Sequence, residues 1–398
     1  MRLLFLILTL LVMPACAHLA DVQCDVSVNC DLFSNGICAI AGTGNRWCAY
    51  PDSACPSGYR YSTFQVGDGL SGVCMVQADG GVDDGGVARS PASCLALPHT
   101  CGAAQNDDCC VSITVPGGMY FRSYDVAGDD SSGDRSGPAT MSHFSLDRYD
   151  VTVGRFRAFV AQGFGVQSKS PEIGAGVHPN IPGSGWQASW RAALKPTTEQ
   201  LITALKCDLD TQTWTDIESG NENRPINCVT WYEAMAFCAW DGGHLPTEAE
   251  WNYAAAGGDE QRAYPWSNPS GDTLSVDNSH ASYWDGTCVG DGMPGCALSD
   301  VVAVGSKPAG DARWGQSDLA GNVYNWVLDW FGAYVAPCVD CANLVATPIG
   351  PGGTALRVVR GGSFNNTKLG LRTGSRNAYD PTSRNFGIGG VIGLRCAR

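Results

Sequence analysis

The chain is short of charge. Asp, Glu, Lys and Arg make up 16% of its 398 residues, against roughly a quarter in an ordinary soluble protein. The basic side is the scarcer one, with 25 Lys and Arg against 39 Asp and Glu and a net charge of −14. No basic run offsets this. An acidic surface repels phosphate backbones, which excludes nucleic acid as a partner. Histidine is scarce too: six, scattered, with no H-E-x-x-H and no paired spacing for zinc. No G-x-S-x-G anchors a hydrolase triad. The glycines of GIGGVIG (387–393) do not form G-x-G-x-x-G and lack a strand–turn–helix context, which excludes a dinucleotide fingerprint. Long apolar runs are also missing. The one from Leu3 to Met13 falls short of the roughly 20 residues that span a bilayer.

Glycine and cysteine are abundant instead, at 50 and 19. So many glycines imply many loops and tight turns. The opening MRLLFLILTLLVMPACAHLA reads as a signal-peptide core after one Arg. Two exits compete. Ala15 and Ala17 fit A-x-A cleavage, whereas MPAC resembles an imperfect bacterial lipobox that would leave a lipid on Cys16. The position of Cys16 directly after the apolar run favours the second. Past it, 18 cysteines remain, an even number, and in an exported chain the expectation is disulfides. Cys24, Cys30, Cys38, Cys48, Cys55 and Cys74 crowd a segment too small to bury much core, so cross-links must substitute for burial. QADGGVDDGGVARSPAS (77–93) has almost no large apolar residue and reads as a flexible linker. Cys94, Cys101, Cys109 and Cys110 form a second knot. Cys207, Cys228, Cys238, Cys288 and Cys296 are expected cross-links, and PCVDC (337–341) is expected to tie a surface loop.

Helices are marked by their caps. Thr230 with Glu233, and Thr247 with Glu250, are capping boxes: the hydroxyl takes the amide three residues on and the carboxylate returns to the cap amide. Gly242 and Gly257 are left-handed stops. A third helix is predicted after Thr152, with Phe156, Phe159 and Val160 on one face. FSLDRYDV (144–151) and LRVVRGG (356–362) read as strands. DLDTQTWTDIES (208–219) lacks the Gly and Glu of an EF-hand loop and reads as a polar loop. The composition and these elements together give a loop-rich α+β domain.

The order of the segments says more than any one of them. VPGGMYF (115–121) and SLDRYDVTVGRFRAFV (145–160) precede RPINCVTWYEAMAFCAWDGGHLPTEAEWNYAAAGG (224–258) and YPWS (264–267). VGSKP (304–308), SDLAGNVYNWVLDW (317–330), RVVRGGSF (357–364) and GLRCAR (393–398) follow. In this order they resemble the formylglycine-generating enzyme family, also called the sulfatase-modifying-factor domain, over residues 112–398. The resemblance implies a variant of the C-type lectin fold, preceded here by a small disulfide-rich module. The domain plan is then a signal peptide at 1–16, a cysteine-rich module at 17–76, the linker at 77–93, a cysteine-rich connector at 94–111 and the family domain at 112–398.

Active members of the family oxidise a cysteine in a sulfatase motif, using oxygen and a copper(I) ion held by two thiolates in a C-x4-C pattern just after RGGS. Soft copper(I) prefers thiolates. Here that window reads RGGSFNNTKLGLR, and the two thiolate positions fall on Asn366 and Leu371. An amide is a poor copper(I) ligand and leucine is none, so copper is not expected and no catalytic residue is assigned. The family also binds calcium. By resemblance, Asp318 is the first side-chain ligand, the carbonyls of Gly321 and Val323 are donors, and Asn325 stands where the family has Glu. A second calcium set would use Asn278, the carbonyl of Ser279 and an acid from the Asp285–Asp291 loop. His244 stands where the family has Arg before LPTEAEW, and Cys396 is expected inside the sheet. The resulting reading is an exported bacterial protein, lipid-anchored in the cell envelope or secreted, which binds a peptide, glycan or envelope protein rather than catalysing. Any membrane contact would run through the lipid anchor. The competing reading is a formylglycine-generating oxidase.

Overall fold

The computed structural model describes residues 37–40, 46–51, 59–62, 71, 91–95, 97–127, 134–268, 275–386 and 390–398. The signal segment, Cys16, most of the cysteine-rich module and residues 77–90 lie outside them. The chain divides into two compact units, one of residues 1–78 and 82–88 and one of 79–81 and 89–398. In the first, strands β1 (Ile37–Ile40), β2 (Arg46–Pro51) and β3 (Tyr59–Tyr61) form an antiparallel sheet in that order.

The second unit mixes short strands with short helices and long loops. Strand β4 (Ser112–Val115) pairs with β7 (Phe144–Asp147), and β5 (Gly118–Phe121) pairs with β6 (Pro138–Met141), both antiparallel. A five-stranded sheet has the order β10 (Asn377–Tyr379), β9 (Arg357–Arg360), β8 (Tyr324–Trp330), β12 (Gly390–Gly393) and β11 (Asn385–Phe386). Its β12–β8 pair is parallel and the others antiparallel. Helices α1 (Val153–Ala161), α2 (Thr198–Ala204), α3 (Trp231–Trp240) and α4 (Glu248–Ala255) lie between β7 and β8 in the chain. The unit is thus loop-rich α+β, as its composition implies.

Both capping boxes form. Thr230 Oγ1 accepts from Glu233 N at 3.2 Å, and Glu233 Oε2 accepts from Thr230 N at 3.0 Å. Thr247 and Glu250 repeat this at 3.0 and 2.8 Å. Each side-chain cap stabilises its helix by about 1 kcal/mol. Two strand expectations ran long. The strand begun at Phe144 leaves its ladder after Asp147, where Arg148 N turns to Val111 O and Val151 N to Leu394 O. The strand at 357 ends at Arg360 because Gly361 and Gly362 adopt φ of +92° and +72°, a conformation that breaks a ladder and suits glycine.

The largest core cluster joins α1, α3 and the sheet through Phe156, Phe159, Phe237, Trp231, Trp326 and Leu394. Phe156 and Phe237 stack with centroids 5.5 Å apart. Beside it Arg155, fully buried, donates to Asp147 at 2.9 Å and to Asp241 at 2.6 Å. Arg398 reaches the same two carboxylates. Each buried charge here has a partner, which such a site requires.

Cross-linking is complete within residues 91–398. All twelve cysteines there are paired: Cys94–Cys110, Cys101–Cys109, Cys207–Cys228, Cys238–Cys396, Cys288–Cys296 and Cys338–Cys341. The expected connector therefore knots upon itself, and Cys396 is bonded to α3. The PCVDC pair is a local bridge, with Arg122 Nη1 donating to Cys341 Sγ at 3.4 Å.

Candidate functional site

The turn after β9 is built from two left-handed glycines and an asparagine. Asn366 Oδ1 accepts from Ser363 N at 2.9 Å and Ser363 Oγ at 2.8 Å. Asn366 N returns to Ser363 O, and Asn366 O accepts from Trp284 N, both at 2.9 Å. An Asn side chain that accepts from backbone two or three residues away stabilises a tight turn. Leu371 is fully buried and packs among Ala263, Tyr264, Ala281, Tyr283 and Ala320. Tyr264 OH donates to Lys368 O at 2.9 Å and closes the loop from the other side. A Cβ on Gly362 would stand 2.6 Å from Leu371 Cδ2, so the turn and the leucine fit tightly. The two expected thiolate positions are therefore neighbours in one turn, and both serve its packing.

No thiolate replaces them from elsewhere in residues 91–398, since every cysteine there is in a disulfide. Cys288 comes near, its Sγ 3.9 Å from Asn365 Oδ1, but it is bonded to Cys296. Without a thiolate pair the residues present do not fit copper(I). The surface over the turn carries Trp284, 38% exposed, and Leu369, 53% exposed. Trp266 stacks on Tyr264 at 5.1 Å, with His280 5.0 Å from its ring. Sequence reading passed over Trp284 and Trp266, because a tryptophan shows its exposure only when its neighbours are placed.

The first calcium set lies on the turn before β8. Asp318, Gly321 and Asn322 have φ of +57°, +83° and +60°. Asp318 Oδ2 accepts from Gly305 N at 2.6 Å. Burial, then the charge of Asp150, pushes the Asp318 carboxyl up to about 7. Val323 is buried at the start of the strand. Asn325 Oδ1 accepts from Trp251 Nε1 at 3.0 Å and from Arg395 Nε at 2.9 Å. Its Nδ2 donates to Asp150 Oδ1 at 2.8 Å. A carbonyl oxygen has two lone pairs, and both are used here, so Asn325 as placed does not fit a calcium ligand. In the second set Asn278 Oδ1 accepts from Lys307 Nζ at 2.6 Å. Ser279 N and Oγ both donate to Asp277 Oδ1, at 2.8 and 2.6 Å.

A third cluster was not anticipated as a unit. His178 Nε2, His244 Nε2 and the Glu250 carboxylate, all buried, lie within 4.8 Å of one another. The spacing alone would suit a metal. However, in the neutral ring His178 Nδ1 accepts from Asn180 N at 3.1 Å, which puts the proton on Nε2, and in the charged ring Nε2 is protonated as well; either way it faces Glu250 Oε1, 3.1 Å away. That lone pair is not available to a metal. His244 Nε2 lies 3.3 Å from both Glu250 oxygens. Burial works to lower the His178 pKa, but the Glu250 hydrogen bond and charge prevail and raise it above 6.5. The trio is a hydrogen-bonded carboxylate–imidazole cluster, with His244 at the position where the resemblance places an Arg.

The family model for the sulfatase-modifying factor enzyme 1-like domain matches residues 99–398, and the chain belongs to that family. The match starts within the cysteine-rich connector, before the boundary expected at 112. Formylglycine-generating enzyme of Streptomyces coelicolor is 30% identical over 305 residues, covering 72% of this chain and 88% of that one. Serine/threonine-protein kinase pkn1 of Chlamydia caviae is 34% identical over 186 residues, 46% of this chain and 25% of the kinase. Inactive C-alpha-formylglycine-generating enzyme 2 of Mus musculus is 27% identical over 312 residues, covering 72% and 84%.

Proposed function

We propose that this chain is an exported, non-catalytic member of the family that works by binding. The observation that carries the reading is the state of the sulfurs and their former places. Asn366 holds a turn, Leu371 fills a core, and all twelve cysteines of residues 91–398 are bonded to one another. Oxygen activation by the family's route needs a soft metal on thiolates, and these residues offer none. A mouse relative named as an inactive enzyme supports the view that the fold can outlast its chemistry. Six disulfides in residues 91–398 support export, because such bonds persist in oxidising compartments. The exposed Trp284 and Leu369 over the turn are suited to a peptide, glycan or envelope protein. Anchoring through Cys16 fits an envelope location.

The second reading, an oxidase, draws on one observation: the Cys288–Cys296 pair lies beside Asn365 and would offer two thiols if reduced. One experiment separates the two. The purified chain, both oxidised and reduced, is loaded with copper(I) and incubated with a sulfatase-type cysteine peptide under oxygen. An unchanged peptide mass is expected in both states, and no stoichiometric copper binding in the oxidised one. Conversion of the peptide cysteine to formylglycine by either form would make the chain an oxidase.

A further inference from the structure

The two turns that resemble calcium sites both contain a side-chain cation. Lys307 Nζ donates to Asn278 Oδ1 at 2.6 Å. Burial lowers the Lys307 pKa, and the carboxylates of Asp318, Asp291, Asp277 and Asp300 only partly oppose it; Asp291 lines the same cavity as the ammonium. By geometry it serves the asparagine of the second set. At the far end of the first set, Arg395 is fully buried. Its Nε donates to Asn325 Oδ1 at 2.9 Å and its Nη2 to Asp150 Oδ1 at 2.8 Å. Asn325, Asp150 and Arg395 close a ring, since Asn325 Nδ2 also donates to Asp150 Oδ1.

The charges agree with the geometry. Replacing the family's Glu by Asn325 removes one negative charge from the ligand set. A set with one carboxylate is a weak cage for a divalent ion, which prefers several charged oxygens, but one cation from the chain can balance it. A lysine ammonium does this with three donors, and an arginine with a fixed fork. A calcium ion placed within bonding distance of Asn278 Oδ1 would meet the Lys307 ammonium at close range.

We infer that Lys307 and Arg395 are the resident cations of these two turns, and that the chain holds its fold without calcium. The site remains reachable from solvent. A cavity of about 300 Å³ lined by Arg224, Asp291, Ser299, Val302, Ser306 and Lys307 opens onto the ammonium, so added calcium is not barred by access.

The test is thermal unfolding of the whole chain in chelator and in about 1 mM calcium, with a calorimetric calcium titration of the wild type. For the wild type, midpoints within about 1 °C of each other and no stoichiometric heat are expected. Lys307→Met should melt lower in chelator and recover on adding calcium, because Asn278 Oδ1 and the neighbouring Asp291 then lose the ammonium beside them. Lys307→Arg should keep the indifference of the wild type. Stoichiometric calcium binding by the wild type overturns the inference. So does a Lys307→Met protein as stable as the wild type in chelator and indifferent to calcium. If that variant does not fold, the titration of the wild type decides alone.

Discussion

Asn366→Cys combined with Leu371→Cys would rebuild the family's thiolate spacing, and it should cost the chain substantial stability. Leu371 is fully buried, and the change shortens it by about two methyl groups, costing about 1–3 kcal/mol with the cavity left behind. Asn366 supplies the acceptor for both Ser363 N and Ser363 Oγ. Removing it from this part-buried turn costs about another 1–3 kcal/mol. The residues share one turn, so the two terms couple, and the sum is about 2–6 kcal/mol. At roughly 2–3 °C per kcal/mol for a unit of this size, the midpoint should fall by about 4–18 °C. The assay is thermal unfolding followed by circular dichroism under mildly reducing conditions, with each single variant alongside. A double variant that melts within about 1 °C of the wild type would refute the reasoning. It would mean that the former site is still an open cleft and not a part of the packed structure.

Three further outcomes follow from the same contacts. Burial would raise the Asp147 carboxyl, but Arg398 and Arg155 outweigh it and bring it from 3.8 down to about 2. The stability this gives, about 2–3 kcal/mol, is complete above the unfolded value and is lost as pH falls through about 2. Urea unfolding from pH 5 to pH 2 measures it, and Asp147→Asn should flatten that limb. At His178 the sign is opposite. Its pKa is raised in the fold, so its contribution is full below 6.5 and lost as pH rises through the folded value. His178→Gln should remove the alkaline loss of stability, and a wild type equally stable at pH 6 and pH 9 would exclude the charged form. The Cys238–Cys396 bond closes a separation of 158 residues. Replacing both cysteines by alanine should cost about 4–5 kcal/mol in equilibrium unfolding.

Much of the scaffold could be read from the chain. The Thr–x–x–Glu boxes at 230 and 247, the left-handed glycines at 242 and 257 and the strand before Gly361 depend on contacts within a few residues, and local contacts are written in local sequence. The replacement of the two thiolates by Asn366 and Leu371 needed only the order of the segments. The even cysteine count pointed to disulfides but could not choose partners, because pairing depends on which loops the fold brings together. Cys238 finds Cys396 across 158 residues.

What the sequence alone determined is therefore the family, the caps, the turns and the loss of the sulfur donors. What only the tertiary structure decided is where the cations sit. Lys307 and Asn278 are 29 residues apart, and Arg395 and Asn325 are 70 apart, so no spacing rule could join them. The His178–Glu250 contact, across 72 residues, is of the same kind. A hydrogen bond or ion pair over such distances exists because packing holds its two ends together, and that information is carried by the whole core at once.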